Sequence, residues 1–305
     1  MKDFEEKLRR LAEGRISLKE PMSRHTTFRV GGAADYYVQP AGKEQLRDIL
    51  CLCREYGIAC LVMGNGSNLL FCDSGYEGVV LNTTECLKRC RVEEKRIWAE
   101  AGVLLGNLAK AALAAGLSGL EFAAGIPGSV GGAVIMNAGA YGSEIGQVVR
   151  QVRVADREGR ILTVPAGQMD FSYRRSAAAC QGWTVLEAEF ELTEGDPEAI
   201  RARMEELAAR RREKQPLEYP SAGSTFQRPP GHFASKLIDE AGLKGLRVGG
   251  AQVSEKHAGF VINCGGATAE DILTLCARIR EQVRQHSGVD LELEVKVIGE
   301  KPALF

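Results

Sequence analysis

The sequence has 305 residues, more than one typical domain, so we expect two or three packed units. Its hydrophobic content of 45% and charged content of 26% are typical of a globular protein, which excludes the disordered and membrane-embedded classes. The 39 basic and 40 acidic side chains nearly cancel, so no overall field favours nucleic acid or anionic lipid as a partner.

The first third of the chain has the pattern of a βαβ unit. A strand is predicted over 36–39, an amphipathic helix over 43–56 that ends at Gly57, and an apolar strand over 59–63. The middle of the chain adds a helix at 104–115, strands at 96–101 and 183–192, and a hairpin of strands 151–155 and 160–164. Mixed elements of this kind predict the α+β class.

The last third is predicted to form a separate unit. A helix begins at Asp196-Pro197 and ends after the charged run 210–214, where Pro216 follows. Beyond it we predict a strand over 259–263, a helix over 268–286 and a strand over 291–297. The predicted apolar face of that helix carries Ile272, Leu275, Ile279 and Val283. We therefore expect three units, over 1–85, 86–215 and 216–305.

Charge and thiol patterns predict a cytoplasmic protein without a bound metal. The run 1–7 is charged and lacks the apolar core of a signal peptide. The nine cysteines are an odd number in a chain too long to need disulfides, which favours free thiols. The histidines are too far apart for a common metal-binding spacing; they are His25, His232, His257 and His286.

Glycine is the unusual residue, since 35 glycines are about 11% of the chain against about 7% in an average protein. They cluster at 31–32, 64–66 and 125–142, which we interpret as loops where the backbone approaches a ligand closely.

Two of these clusters have the pattern of a cofactor site. The segment 63–69, Met-Gly-Asn-Gly-Ser-Asn-Leu, follows an apolar strand and could present backbone N–H groups to a pyrophosphate, although a plain tight turn is the alternative. It is neither a dinucleotide fingerprint, because Leu69 replaces the last glycine, nor a P-loop. The segments 125–133 and 136–142 are glycine-rich turns around an apolar piece, with room for a large planar ring system.

Three further motifs have ordinary explanations when each is considered alone. The segment 171–176, Phe-Ser-Tyr-Arg-Arg-Ser, could be a basic loop beside an aromatic residue. The segment 221–226, Ser-Ala-Gly-Ser-Thr-Phe, could be a turn. The alternation of 291–297, Leu-Glu-Leu-Glu-Val-Lys-Val, could belong to a strand with one solvent-facing side.

Taken together, the five motifs resemble the UDP-N-acetylenolpyruvoylglucosamine reductase family, over nearly the whole chain. The resemblance implies an FAD-binding fold of the vanillyl-alcohol-oxidase type, with two α+β subdomains at 1–85 and 86–215. It also implies an α+β substrate-binding domain at 216–305, whose last strand, about 291–299, returns to the active site. In this family FAD is held without a covalent bond, NADPH is the co-substrate, and UDP-N-acetylglucosamine enolpyruvate is reduced to UDP-N-acetylmuramate for peptidoglycan synthesis.

The resemblance also assigns roles to single residues. Arg174 would face the substrate carboxylate, Ser224 would donate a proton to carbon, and Glu294 would be the catalytic glutamate, with Glu292 as the alternative register. Substrate-binding roles would belong to Tyr173, Lys214, Arg228 and His257, the last two being ordinary packing residues in the alternative. The implied cofactor-binding residues are Met63, Gly64, Asn65, Gly66, Ser67, Asn68, Leu69, Gly125, Ile126, Pro127, Gly128, Ser129, Gly131, Gly132, Asn137, Ala138 and Gly139.

Two other functions agree with part of this pattern. One is a different FAD-dependent oxidase or dehydrogenase of the same fold, which the three later motifs oppose. The other is a nucleotide-sugar-binding protein without catalysis, which would be colourless when purified. No insertion carries the extra tyrosine loop of some family members, so the chain resembles the shorter type. We expect a monomer whose only partners are small molecules.

Overall fold

A computed structural model describes residues 2–300, in which short helices and strands alternate along the chain. The helices are α1 Lys2–Ala12, α2 Lys43–Glu55, α3 Leu105–Ala114, α4 Val130–Met136, α5 Ala177–Gln181, α6 Pro197–Lys214, α7 Ala234–Glu240 and α8 Ala269–Ser287. Single 3-10 turns lie at Met22–Arg24, Glu121–Ala123, Ile145–Gln147 and Ala166–Gln168.

The strands are short, and most have three to eight residues. They are β1 Ile16–Pro21, β2 Ala33–Val38, β3 Cys60–Met63, β4 Leu69–Phe71, β5 Tyr76–Asn82, β6 Cys90–Glu93, β7 Arg96–Glu100, β8 Leu117–Ser118, β9 Gly139–Ala140, β10 Ser143–Glu144, β11 Val149–Ala155, β12 Ile161–Pro165, β13 Thr184–Glu191, β14 Thr193–Glu194, β15 Arg247–Val248, β16 Ala251–Val253, β17 Val261–Asn263 and β18 Lys296–Ile298. The α+β class predicted from the sequence is confirmed.

The chain divides into two compact units, each with its own hydrophobic core. The first unit takes in the described residues up to 17 together with 36–65 and 78–210. The second takes in 18–35, 66–77 and 211–300. The predicted division into three domains stays a prediction.

A five-stranded antiparallel sheet with the order β12-β11-β13-β7-β6 organises the first unit. Helix α4 packs against the central strand β13, whose Leu186, Ala188 and Phe190 are completely buried. Helix α2 is tied to this sheet by charge, because Lys43 pairs with the buried Glu100 at 3.1 Å and also with Glu187. Nearby, β3 pairs in parallel with β5 and delivers the chain to Gly64.

In the second unit, helix α8 provides one wall of the core for the sheet β15-β16-β17. Thr268 and Asp271 form a capping box at its start, and Gly288 ends it with a φ of 72°. The predicted apolar face is confirmed, because Ile272, Leu275, Ile279 and Val283 are all buried. Strand β18 pairs in parallel with β4, with Val297 opposite Leu70.

Two predictions about local structure are wrong. The stretch 125–142 was expected to be loop, but it contains helix α4, because Val130 and Val134 are completely buried and this burial offsets the poor helix propensity of the glycines. The strand expected over 291–297 begins only at Lys296, where β18 (Lys296–Ile298) starts. Its neighbour, the segment 225–227, forms only a single bridge, between Phe226 and Leu293, because Pro229 and Pro230 follow without backbone N–H groups.

The carboxylate of Asp73 caps helix α8 from a loop far away in the sequence. Its two oxygens accept hydrogen bonds from the N–H groups of Ala269 and Glu270, each at 2.9 Å. We expect Asp73→Ala to lower the local stability of the first turn of α8 by about 1 kcal/mol, because two N–H groups lose their acceptor and the helix dipole loses a negative charge. Hydrogen exchange at Ala269 and Glu270 would measure this, with Asp73→Asn retaining part of the protection. Unchanged exchange in Asp73→Ala would contradict the capping role.

Candidate active site

The two glycine-rich segments lie against each other in the first unit. A Cβ atom added to Gly64 would meet the Oγ of Ser129 at 1.9 Å, so the Ser129 side chain lies as close to the Gly64 backbone as glycine allows. The Asn65 side chain donates to the carbonyl of Pro127 at 2.6 Å, and the Asn82 side chain donates to the carbonyl of Gly64 at 3.2 Å. The sequence predicted both turns, and the structure brings 64–65 and 127–129 together.

The second segment has the small residues that a planar cofactor needs. Ser129 is buried and caps α4 by accepting from the N–H of Gly132 at 3.5 Å. Gly125, Pro127 and Gly132 are exposed beside it, and none of them has a long side chain. A Cβ on Gly131 would meet the Cβ of Ala101 at 2.9 Å, so this glycine serves helix packing. A backbone surface without long side chains fits the flat ring system and phosphates of FAD.

Other residues of the predicted cofactor set have different surroundings. Met63 is buried at the end of β3, and Asn137 is completely buried after α4. The residues 66–69 belong to the second unit, where Gly66 has a φ of 61° and Leu69 begins β4. Gly128 and Ile126 are half-buried in the turn before α4, and Ala138 and Gly139 are half-buried after it; the Gly128 carbonyl accepts from Leu105 at 2.9 Å.

Tyr173 and Arg174 are the two central residues of a tight hairpin in the first unit. Ser172 and Arg175 close it with reciprocal backbone hydrogen bonds of 3.1 and 3.0 Å. Arg174 has a φ of 56°, an uncommon conformation for a residue with a long side chain. Its guanidinium carbon lies 4.9 Å from the centre of the Tyr173 ring, a cation–π distance. Tyr173 is 49% exposed, so the pair is presented at the surface of the chain.

Ser224 lies on a loop of the second unit that is anchored by two hydrogen bonds of the next residue, Thr225. The N–H of Thr225 donates to the carbonyl of Gly259 at 2.9 Å, and the Oγ1 of Thr225 accepts from Val261 at 3.0 Å. Gly223 has a φ of 75°, which lets the chain turn just before the serine. Thr225 is buried while Ser224 is exposed, so the loop is anchored next to an accessible hydroxyl.

The backbone at Glu294 is hydrogen-bonded to this loop. Its N–H donates to the carbonyl of Thr225 at 2.8 Å. Thr225 directly follows Ser224, so the backbone of the predicted glutamate is hydrogen-bonded to the neighbour of the predicted proton donor. Asn68 brackets the glutamate, because its side chain donates to the Glu294 carbonyl at 3.0 Å while its own carbonyl accepts from Lys296 at 3.0 Å. Glu292 is exposed and Glu294 is half-buried. No pattern in the sequence indicates this role of Asn68, because an asparagine in a turn has the same local signature whichever group it hydrogen-bonds.

The weaker substrate candidates are scattered in the second unit. Lys214 is the last residue of α6. The Arg228 guanidinium lies 4.2 Å from the ring centre of Phe233, which is 55% exposed and which sequence reasoning missed. His257 accepts from the N–H of Gly259 at 3.2 Å through Nδ1. Burial, helped by the positive charge of Lys244, lowers the pKa of His257, so its imidazole is neutral at neutral pH.

The predicted catalytic residues divide between the units. Arg174 belongs to the first unit, while Ser224 and Glu294 belong to the second. Among residues 2–300, no group of three or more His, Cys, Asp or Glu side chains is arranged to hold a metal ion. In that same range, none of the helices combines the length and the apolar character needed to cross a membrane.

Comparison with known proteins agrees with this arrangement. Residues 34–165 match the family described as FAD binding domain, and residues 215–298 match the family described as UDP-N-acetylenolpyruvoylglucosamine reductase, C-terminal domain. The UDP-N-acetylenolpyruvoylglucosamine reductase of Caldanaerobacter subterraneus subsp. tengcongensis is 49% identical over 291 residues, which cover 95% of this chain and 96% of that protein. The chain belongs to the UDP-N-acetylenolpyruvoylglucosamine reductase family.

Solved structures agree with the membership in this reductase family. The crystal structure of the UDP-N-acetylenolpyruvylglucosamine reductase from Thermus caldophilus has a TM-score of 0.79 and 38% identity, and covers 93% of this chain and 98% of that one. An alkyldihydroxyacetonephosphate synthase, with a TM-score of 0.50 and 16% identity, covers 64% of this chain and 40% of its own, and shows the shared fold alone. The predicted FAD-binding fold is confirmed.

Proposed function

We propose that this chain catalyses the NADPH-dependent, FAD-mediated reduction of UDP-N-acetylglucosamine enolpyruvate to UDP-N-acetylmuramate, a step of peptidoglycan precursor synthesis. The observation that carries the proposal is the pairing of the Ser224 loop with Glu294, through the 2.8 Å hydrogen bond between the Glu294 N–H and the Thr225 carbonyl. A hydroxyl and a carboxyl group anchored on adjoining backbones suit the protonation of a carbon next to a developing negative charge, because both can donate a hydrogen bond. The cytoplasmic location and the monomeric state stay predictions.

The chain's own residues account for substrate binding and proton delivery. When bound, FAD would supply the hydride that originates from NADPH to the outer carbon of the enolpyruvyl double bond. The Arg174 guanidinium binds the substrate carboxylate, because it stays protonated and can donate two parallel hydrogen bonds. Arg174 polarises this carboxylate and stabilises the enolate-like charge of the substrate, and Glu294 is assigned the same task as a neutral carboxylic acid that donates a hydrogen bond. The Oγ of Ser224 then donates its proton to the other carbon of that double bond, which bears the carboxylate, and the serine regains a proton from solvent.

The cofactor would be held by residues of the two glycine-rich turns, with Gly64, Asn65 and the run 125–132 supplying backbone contacts in the first unit. Tyr173, Lys214, Arg228 and His257 are proposed to contact the UDP-sugar. The exposed Tyr173 ring and the Arg228 guanidinium support this proposal, since planar and cationic groups suit a uracil ring and a diphosphate.

A direct test is the absorbance spectrum of the purified protein during one anaerobic cycle. We expect a yellow protein that NADPH bleaches and that UDP-N-acetylglucosamine enolpyruvate then returns to its oxidised spectrum. A colourless protein that cannot take up added FAD would refute the proposal. A flavin that is bleached by NADPH and is re-oxidised by oxygen, but not by the enolpyruvyl sugar, would show a different oxidoreductase.

The contact between the two turns makes Gly64→Ala a sharp test of the cofactor site. The new Cβ would overlap the Oγ of Ser129 and lie 2.9 Å from its Cβ, so either the turn or the side chain that caps α4 must move. Overpacking of this kind costs about 1–3 kcal/mol, and we expect the FAD dissociation constant to rise at least about tenfold. The ratio of flavin to protein absorbance after dialysis would measure the loss.

Gly167→Ala is the matched control for that experiment. A Cβ at Gly167 would have nothing within 4 Å, and its φ lies outside the left-handed region. This variant should retain FAD like the unmodified protein. If Gly64→Ala also retains it, the turn at Gly64 does not contact the cofactor.

A further inference from the structure

Asn137 is a buried residue in a backbone conformation that few residue types tolerate. It follows α4 directly, has a φ of 42° and a ψ of 56°, and is completely buried. Asparagine is one of the few non-glycine residues found in this left-handed region. Its position in the second glycine-rich motif predicts a cofactor contact, which stays a prediction, while its side chain is buried within the protein.

The side-chain amide of Asn137 joins two other segments of the first unit. Its Nδ2 donates to the carbonyl of Ser172 at 3.1 Å, and its Oδ1 accepts from the N–H of Gly146 at 2.8 Å. Gly146 has little room, since an added Cβ would lie 3.0 Å from the Asn137 Oδ1 and 2.8 Å from Phe171. The donor and the acceptor of this amide are therefore both used within the protein.

The Ser172 carbonyl belongs to the residue that begins the Tyr173–Arg174 hairpin. The other end of the hairpin is fixed to the same helix, because the Oγ of Ser176 donates to the carbonyl of Ile135 at 2.9 Å. Both ends of the hairpin are thus tied to the C-terminal end of α4. Arg174 itself has a φ of 56°, a conformation that persists only where the surrounding structure holds it.

We propose that Asn137 is a positioning residue that holds the Tyr173–Arg174 hairpin against α4 and so sets the direction of the Arg174 guanidinium. The proposal rests on the carboxylate-binding role proposed for Arg174. An aspartate at 137 could still accept from Gly146 but would place an oxygen against the Ser172 carbonyl. A glycine would keep the backbone conformation and lose both hydrogen bonds.

Hydrogen exchange on the FAD-loaded protein tests, without any turnover, whether Asn137 holds the Tyr173–Arg174 hairpin. The N–H groups of Ser172 and Arg175 close the hairpin, so we expect them to exchange about tenfold faster in Asn137→Asp, because the part-buried hydrogen bond from Asn137 to Ser172 is lost. Asn137→Gly should show the same change if the aspartate variant folds poorly. Asn107→Asp is the matched control, since Asn107 is exposed on α3, and it should leave both amides unchanged. Unchanged exchange at Ser172 and Arg175 in both Asn137 variants would overturn the proposal.

Separated half-reactions test the consequence for the substrate. The Asn137→Asp protein is first saturated with FAD and reduced with NADPH, and its FAD content and reduction rate are recorded separately, so that only the re-oxidation step is compared with the unmodified protein. Re-oxidation by UDP-N-acetylglucosamine enolpyruvate should slow about 10- to 100-fold, as expected for a misplaced binding group. The double variant Asn137→Asp/Arg174→Ala should be no slower than Arg174→Ala alone, because Asn137 acts through Arg174.

The failure of this inference can be told apart from the failure of the proposed function. If the unmodified protein is not re-oxidised by the enolpyruvyl sugar, the proposed function is wrong, and the hydrogen exchange still decides whether Asn137 holds the hairpin. If Asn137→Asp slows the Arg174→Ala variant by the same factor as the unmodified protein, Asn137 does not act through Arg174 and the inference is wrong.

Discussion

Ser224→Ala should be reduced by NADPH at the normal rate and then be re-oxidised by UDP-N-acetylglucosamine enolpyruvate about 10²- to 10⁴-fold more slowly, the usual loss for a proton donor. The substitution removes only the hydroxyl. The loop should keep its shape, because Thr225 holds it through its bonds to Gly259 and Val261. Rapid-mixing absorbance measurements of the two half-reactions would separate the two effects.

Ser221 provides the matched control in the same loop. Its carbonyl accepts from the Thr27 hydroxyl at 2.6 Å, and this hydrogen bond does not involve the Ser221 side chain. Ser221→Ala should therefore leave both half-reactions unchanged. Normal re-oxidation of Ser224→Ala would remove Ser224 from the mechanism, and an equal loss in Ser221→Ala would indicate a general effect on the loop.

Glu294→Gln should slow re-oxidation by the enolpyruvyl sugar about 10²- to 10³-fold, which is typical for the loss of one group that stabilises developing charge. Glutamine keeps the size of the side chain but replaces the acidic O–H group with a far weaker acid, and the backbone bonds to Thr225 and Asn68 do not involve the carboxyl group. FAD content and reduction by NADPH should stay normal. A single-turnover measurement of re-oxidation would give the size of the effect.

Glu292→Gln is the control that decides the register. Glu292 is exposed, while its carbonyl accepts from the N–H of Gln227 at 2.9 Å. We expect re-oxidation within about twofold of normal, as for most surface substitutions. If the large loss appears in Glu292→Gln instead, the glutamate assignment is shifted by two residues.

Elements set by local sequence were predicted almost to the residue. Helix α2 was expected over 43–56 and spans Lys43–Glu55, because an amphipathic pattern and Gly57 define it without help from distant residues. The hairpin of β11 and β12 was also correct, since the turn at Glu158-Gly159 fixes the pairing of Val154 with Leu162.

Elements that depend on distant partners were not predictable in the same way. Helix α4 contains Gly131 and Gly132, which signal a loop, and only the packing against β13 makes a helix there. The alternating segment 291–297 has the pattern of a strand, but the structure provides only a short partner around Phe226. Local patterns describe a propensity, and burial by other segments can override it.

The sequence by itself determined the family, the α+β class and the residue types that the chemistry needs, because five motifs of fixed spacing are visible without any partner. Only the tertiary structure decided which of these residues lie together. It pairs the Ser224 loop with Glu294, brackets Glu294 with Asn68, and turns Asn137 inward to Ser172. Hydrogen bonds between segments far apart in the chain leave no periodic signal in the sequence, so their partners appear only once the chain is folded.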